Sequence, residues 1–135
     1  FYQLPMDDNQ WDVGRFDDIW SGLFLKRACD VLGKQIYNGD PLCEHNKAPR
    51  STFSDLANEV AGLECNEHVW EVIDGVGGDA NSYAGVFRAI AEELRAGDFA
   101  DWTNGAFLNH CGEQMVHWLD CLDAIETERA VPADD

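Results

Sequence analysis

Apolar residues recur at three- and four-residue spacing in three long stretches of the chain. This spacing places them on one face of an α-helix and predicts three amphipathic helices. The first ends at about Leu32, where Gly33 suits the left-handed conformation that closes many helices, and Gly97 closes the second. Their apolar positions are Phe16, Ile19, Trp20, Leu23, Phe24, Val31 and Leu32, then Tyr83, Val86, Phe87, Ile90, Ala91 and Leu94, then Phe107, Leu108, Cys111, Met115, Trp118, Leu119, Leu122 and Ile125.

Shorter elements are predicted between these helices. Thr52 and Asp55 have the spacing of a capping box and predict a short helix over residues 52–60. Asn66 suits the start of another helix that ends near Ile73. Residues 35–38 and 42–45 predict short strands around an Asn-Gly-Asp-Pro turn, and residues 1–6 predict the end of another strand. The pattern therefore indicates a helix-rich domain with a few short strands.

The charge balance is strongly acidic, with 26 Asp and Glu residues against 9 Lys and Arg residues and a net charge of -17. Such a surface repels phosphates and excludes a nucleic-acid-binding role. The acids are spread along the chain, and the lysines are few. This favours a protein from a salt-rich cytoplasm, where salt screens self-repulsion, over an acidic binding tail. No apolar run is long enough to span a bilayer, and no secretion signal is visible. Because the chain begins at Phe1 rather than Met, we expect residues upstream to have been removed or left out.

The five cysteines are scattered and odd in number, and none forms a C-x-x-C pair. Disulfide frameworks of secreted domains are dense and usually even. We therefore expect reduced, mostly buried thiols in a cytoplasmic protein. His68 lies three residues from Cys65, but no second ligand pair has the spacing of a structural zinc site.

The stretch Gly14-Arg15-Phe16-Asp17-Asp18-Ile19-Trp20-Ser21-Gly22 opens the first predicted helix. Two acids in the first turn of a helix complement its dipole, which is a purely structural interpretation. The small residues that follow the tryptophan would also let a ligand or a second backbone approach closely. Spacing alone leaves both interpretations of the acid pair open.

This stretch resembles the G-R-F-D-D-M-W-A-G segment of the reversibly glycosylated polypeptide family, which includes the plant UDP-arabinopyranose mutases. In that family the next helix ends in C-D-x-L-G, as in residues 29–33 here, and a G-x-P turn follows, as in residues 39–41. An H-x-K-A segment is matched by residues 45–48. Weaker matches lie in residues 55–63, through Leu56, Glu59 and Gly62, and in residues 118–123. The resemblance spans most of the chain and identifies it with the C-terminal half of such a protein.

The resemblance implies an α/β fold, the C-terminal portion of a GT-A-like nucleotide-sugar core that is helix-rich with a few short strands. Residues 1–50 would supply the acidic-motif helix and short strands, and residues 51–135 a helical layer. The family further implies a UDP-sugar substrate and Mn²⁺ or Mg²⁺. The reaction would be sugar-ring interconversion by a mutase, or glycosyl transfer by a self-glycosylating enzyme. The family's metal-binding aspartates lie upstream, so this chain would act only together with an upstream half.

Site roles follow from the resemblance. Asp18 would orient a sugar hydroxyl or act as a base, with Asp17 beside it, and Arg15 would hold a carboxylate or a phosphate oxygen. Trp20 would either form an apolar wall against the sugar or pack the helix. Residues 44–50, taken alone, are typical of a solvated loop. The resemblance adds two roles in this loop, which are His45 as a late metal ligand and Lys47 as a countercharge to the diphosphate.

A non-catalytic alternative also fits the sequence. The chain would then be a helical interaction module that docks on a nucleotide-binding partner, with exposed aromatic and aliphatic surface. A domain that lacks its other half would have marginal stability, so homo- or hetero-oligomer formation is expected to compensate.

Overall fold

The computed structural model describes residues 9–14, 16–44, 46 and 51–130. They form four α-helices, α1 (Asp17–Val31), α2 (Thr52–Ile73), α3 (Tyr83–Ala96) and α4 (Gly105–Ala130). No β-strand occurs in the residues described. The expected α/β fold with a GT-A-like core is therefore wrong, because this part of the chain is all-helical. The strand end expected at residues 1–6 lies outside the described residues.

The two strands expected near residues 35–38 and 42–45 are absent from their described positions, which have no regular secondary structure. Ile36 is 54% exposed, Tyr37 is 81% exposed and Leu42 is 98% exposed. A short two-stranded hairpin is unstable in water unless an apolar face is covered. Among the described residues, no layer covers the apolar side chains that suggested strands, so the segment stays irregular.

Helix α1 follows the prediction, including the way it ends. Gly33 has a positive φ of 64°. Its N–H donates to the Asp30 carbonyl at 3.2 Å, and the Lys34 N–H donates to the Cys29 carbonyl at 2.7 Å. This pair of bonds is the Schellman arrangement, which satisfies carbonyls that the helix leaves unpaired. Gly33 therefore closes α1 as its sequence position indicates.

Helix α2 runs without a break through the region where two helices are expected. Its N-cap is Ser51 rather than Thr52, and the Ser51 hydroxyl accepts a hydrogen bond from the Ser54 N–H at 3.4 Å. Asn66, expected to start a second helix, lies inside α2. Its side-chain oxygen accepts a hydrogen bond from the Trp20 indole N–H at 2.9 Å. The residue that suggested a helix start is used instead to hold α2 against α1.

Helices α3 and α4 make the most extensive helix contact. Gly112 allows their close approach, because a Cβ at this position would lie 2.3 Å from the backbone nitrogen of Arg95. Gly97 ends α3, as expected. The Asn109 side-chain nitrogen donates to the carbonyls of Leu94 and Gly97, both at 2.9 Å. These bonds satisfy acceptors at the end of α3 and tie it to the first turns of α4.

Helix α1 packs against α3, and α2 packs against both, so the buried side chains form one cluster. The division into residues 1–50 and 51–135 stays a prediction. Within the described residues, no helix combines the length and apolarity needed to cross a bilayer. The cluster comprises Val13, Phe16, Trp20, Phe24, Ala28, Cys65, Val69, Ile73, Val86, Phe87, Ile90, Ala91, Leu94, Phe99, Phe107, Leu108, Cys111, Met115 and Leu119.

Candidate functional site

The candidate site lies at the N-terminus of α1. Phe16 is the N-cap residue but makes no side-chain capping bond. Asp17 and Asp18 follow in the first turn, and the Asp18 Oδ1 accepts a hydrogen bond from the Ile19 N–H at 2.8 Å. Carboxylates at this end of a helix are stabilised by its dipole and by the N–H groups left without helical acceptors. The structural interpretation of the acid pair therefore has a physical basis.

Two contacts fix α1 beside α2. The Phe16 ring lies on Gly62, where an added Cβ would be only 2.2 Å from the ring's Cδ2. One turn further along both helices, Trp20 donates its indole hydrogen bond to Asn66. The contacts advance in the same direction on the two helices, so α1 and α2 run roughly parallel here. Parallel neighbours need a long connection, which residues 32–51 supply.

This packing brings Glu59, one turn before Gly62, to the acid pair. Asp17, Asp18, Ile19 and Glu59 line an open cleft of about 410 Å³. Asp17 and Glu59 are half-buried, while Asp18 is exposed. Among the described residues, the cleft therefore presents three carboxylates and one apolar side chain. Such a set can accept hydrogen bonds from sugar hydroxyls and can exchange protons with them.

Glu59 is a site residue that the sequence pattern alone did not mark. A signal was present, because Glu59 stands in the weaker family match at residues 55–63. Its role could not be inferred there, since it depends on which face of α2 meets α1. The contacts of Phe16 with Gly62 and of Trp20 with Asn66 place that glutamate beside the aspartates.

Trp20 lies in the core rather than in the cleft and has no exposed surface. Its ring centroid is 5.7 Å from that of Phe16 and 6.1 Å from that of Phe107. Of its two proposed uses, packing of the helix agrees with this burial. Contact between Trp20 and a sugar stays a prediction.

Three further predicted site residues, Arg15, His45 and Lys47, lie outside the described residues. Their roles toward phosphate and metal therefore stay predictions. The lining of the cleft contains no basic side chain within the part of the chain that is described. An anionic diphosphate at this position would need positive charge from elsewhere.

The described residues do not fit a bound Mn²⁺ or Mg²⁺. Within residues 9–14, 16–44, 46 and 51–130, no group of three or more His, Cys, Asp or Glu side chains is placed to hold a metal ion. Both ions prefer several oxygen ligands around one centre. The metal stays a prediction based on the resemblance.

A second cavity, of about 420 Å³, lies between α1, α3 and α4. Its walls are mainly apolar and include Leu25, Phe87 and Leu122. A sugar nucleotide needs several hydrogen-bonding groups, and the lining of this cavity provides few of them. The acidic cleft is therefore the better candidate site.

Comparison with known proteins connects the chain to one group of enzymes. It is 38% identical over 126 residues to UDP-arabinopyranose mutase 1 of Arabidopsis thaliana, covering 89% of this chain and 33% of that protein. It is also 38% identical over 126 residues to probable UDP-arabinopyranose mutase 2 of Solanum tuberosum, with 89% and 32% covered. Probable UDP-arabinopyranose mutase 1 of Pisum sativum is 27% identical over 131 residues, with 93% and 34% covered.

The chain spans about a third of the length of these curated relatives. No protein-family model matches it, and no solved structure matches it significantly. The family resemblance carried by residues 14–22 and the motifs after them is confirmed by the relatives. Over most of its length, this chain is a homologue of one segment of the UDP-arabinopyranose mutases, the reversibly glycosylated polypeptide family.

Proposed function

We propose that this chain is part of a UDP-sugar mutase and that the acidic cleft of Asp17, Asp18 and Glu59 faces the sugar. The observation that carries the proposal is the meeting of three carboxylates at the N-terminus of α1 in a homologue of mutases. The names of the relatives favour ring interconversion over glycosyl transfer. The substrate class is a UDP-sugar, with UDP-arabinopyranose as the first compound to test.

Asp18 is the preferred proton-transfer group. Its side chain is exposed to the cleft, and one oxygen is oriented by the Ile19 N–H, so the other can reach a ligand. Opening and closing a sugar ring requires proton movement at the ring oxygen and at the attacking hydroxyl, which a carboxylic acid and its carboxylate can supply. Asp17 and Glu59, both half-buried, would accept hydrogen bonds from other hydroxyls and set the orientation of the sugar.

The diphosphate would be held outside the acidic cleft. Arg15 precedes the acid pair in the sequence and is the nearest basic residue along the chain, and Lys47 is the second candidate. A divalent ion, if the whole enzyme binds one, would neutralise the diphosphate. No step of the chemistry described above depends on that ion.

The test compares the protein as its source cell makes it with its variants. We measure conversion of UDP-arabinopyranose into its isomer by anion-exchange chromatography. Asp18→Asn keeps the side-chain shape and the hydrogen bond from Ile19 but removes the base, so the rate should fall about 100-fold or more. Asp17→Asn should raise KM more than it lowers kcat, because it alters orientation.

Asp101→Asn is the matched control, because Asp101 is an exposed aspartate that does not line the cleft. The conversion rate of this variant should stay within about twofold of the rate of the unmodified protein. Circular dichroism should show equal helix content in all variants. Full turnover in Asp18→Asn, or no conversion by the unmodified protein, would overturn the proposal.

A further inference from the structure

Helix α2 carries an apolar face that the described residues leave exposed. Phe53, Leu56, Val60, Leu63 and Trp70 are 84%, 49%, 47%, 44% and 39% exposed. Their spacing alternates between three and four residues, with Glu67 at the remaining position of the same series. We call these six residues the α2 stripe. It has the a/d pattern of a coiled-coil seam and is about 26 Å long, given 1.5 Å of rise per residue.

The stripe lies opposite the face that α2 buries. The buried residues of α2 are Gly62, Cys65, Val69 and Ile73, which point toward α1 and α3. On a helix of 3.6 residues per turn, the stripe lies roughly half a turn away from them. Helix α2 is thus apolar on two faces, of which the four-helix core uses one. A contiguous apolar surface of this kind marks an interaction site.

The charges beside the stripe select its partner. Glu64 and Glu71 follow Leu63 and Trp70, which places them along one edge of the stripe, and Glu67 lies within it. All three are exposed. Helix α2 contains no lysine or arginine. In two-helix seams, charges at the edges decide which helix pairs with which.

This charge pattern disfavours a second copy of the chain. A two-fold dimer through the stripe would place α2 against α2, either parallel or antiparallel. In a parallel dimer, Glu64, Glu67 and Glu71 of the two copies would lie side by side. In an antiparallel dimer, they would lie against the apolar first half of the other stripe, and α2 has no lysine or arginine to pair with them. Unpaired or like charges at the edges of a seam weaken helix pairing and would offset part of the stabilisation that apolar burial gives.

We propose that the α2 stripe binds an amphipathic helix of a partner protein that carries lysine or arginine along the edges of its apolar face. The apolar residues supply burial, and Glu64, Glu67 and Glu71 supply the charge selection. This recognition mode is the packing of one amphipathic helix into another's groove. This proposal goes beyond the proposed mutase function, since the residues of the stripe do not line the acidic cleft.

The test uses two synthetic helical peptides of about 21 residues, long enough to span the stripe. Both carry the same apolar residues at three- and four-residue spacing, and they differ only in having Lys or Glu along the edges. Fluorescence anisotropy with labelled peptides measures Kd for the purified protein. We expect the Lys-edged peptide to bind about tenfold more tightly than the Glu-edged one, which corresponds to a few edge pairs.

Variants separate the apolar and charged contributions. Leu56→Gln with Leu63→Gln should raise Kd for the Lys-edged peptide by more than about tenfold. The matched control is Ile125→Gln, an exposed apolar residue of α4 that is 51% exposed and lies outside the stripe; it should leave Kd unchanged. Glu64→Lys with Glu71→Lys should reverse the preference between the two peptides.

Three outcomes would overturn the proposal. The first is that neither peptide binds. The second is that both bind equally, or that Ile125→Gln weakens binding as much as the stripe variant does. The third is concentration-dependent self-association in sedimentation equilibrium that Leu56→Gln with Leu63→Gln abolishes, because a second copy would then occupy the stripe. The peptide-binding assay does not measure mutase activity, so it tests the stripe even if the proposed mutase function is wrong.

Discussion

Replacement of Gly62 by alanine tests the contact that assembles the candidate site. Gly62 lies in the middle of α2 and is buried under the Phe16 ring. An added Cβ would be 2.2 Å from Cδ2 and 2.5 Å from Cε2 of that ring, whereas ordinary contacts begin at 3.4 Å. Phe16 is only 4% exposed, so its ring has little room to move by the ~1 Å required.

The size of the effect follows from two opposing contributions. Alanine is a better helix former than glycine by about 1 kcal/mol in a helix interior. Overpacking a tight contact costs about 1–3 kcal/mol because side chains and backbone must shift. We expect Gly62→Ala to lower the free energy of unfolding by up to about 2 kcal/mol, the difference between these contributions. Urea denaturation followed by circular dichroism measures it.

Gly22 provides the matched control, since it also lies inside a helix but has no atom within 4 Å of the position that an added Cβ would occupy. Gly22→Ala should therefore raise the free energy of unfolding by about 0.5–1 kcal/mol. Combining Gly62→Ala with Phe16→Leu should cost less than the sum of the two single changes, because the smaller side chain relieves the clash. If Gly62→Ala stabilised the protein as much as Gly22→Ala does, Phe16 would not pack on α2 as described.

Three further predictions follow from buried groups. Trp20→Phe should lower the free energy of unfolding by about 1.5–3 kcal/mol in urea denaturation, because it removes the bond to Asn66 and opens a cavity; the matched Trp70→Phe should change it by less than about 0.5 kcal/mol. At pH 8, a disulfide-exchange reagent should label the exposed Cys43 and Cys121 quickly, and the buried Cys29, Cys65 and Cys111 only after denaturation; fast labelling of all the thiols would contradict the packing. Burial raises the pKa of Cys65 from 9.0 to about 12, so the unfolded thiol ionises first as pH rises. Stability should then fall between those values by up to about 1.4 kcal/mol per pH unit, and Cys65→Ala should show a shallower fall in urea denaturation at pH 8.5 and 10.5.

The helices that the sequence predicted well are those whose pattern and terminal residues agree. Helices α1 and α3 combine regular apolar spacing with a closing glycine, at Gly33 and Gly97. The apolar face of α4 was predicted as well, but its last members, Leu122 and Ile125, extend beyond the core and are exposed. Periodicity reports which face of a helix is apolar, and it does not report how far the neighbouring helices reach.

The sequence predictions were wrong where contacts between distant segments determine the local structure. Asn66 suggested the start of a second helix, yet its side chain binds Trp20. Gly62 accepts the Phe16 ring, and α2 continues through both residues. The expected strands relied on local propensity at Ile36 and Tyr37, and no neighbouring strand or covering layer is present among the described residues to fix them. The acid pair could be identified from one segment, whereas Glu59 required the packing of two helices. A salt-rich cytoplasmic origin is tested by none of these features and stays a prediction.

The distribution of positive charge connects the candidate site with the α2 stripe. Four basic residues of the described helices already have acidic partners, in the pairs Lys26–Asp30, Arg27–Asp74, Arg88–Asp120 and Arg95–Glu92. Arg88 also reaches Asp123 at 2.9 Å, and its hydrogen bond to Asp120 raises its pKa. Among the described residues, the cleft lining has three carboxylates and no basic side chain, so a UDP-sugar there would need cations from other residues. Glu59 lines that cleft, whereas the carboxylates assigned to the partner contact, Glu64, Glu67 and Glu71, lie further along the same helix. The proposed chemistry and the proposed partner contact thus each require positive charge, the first from residues outside the described helices and the second from another protein.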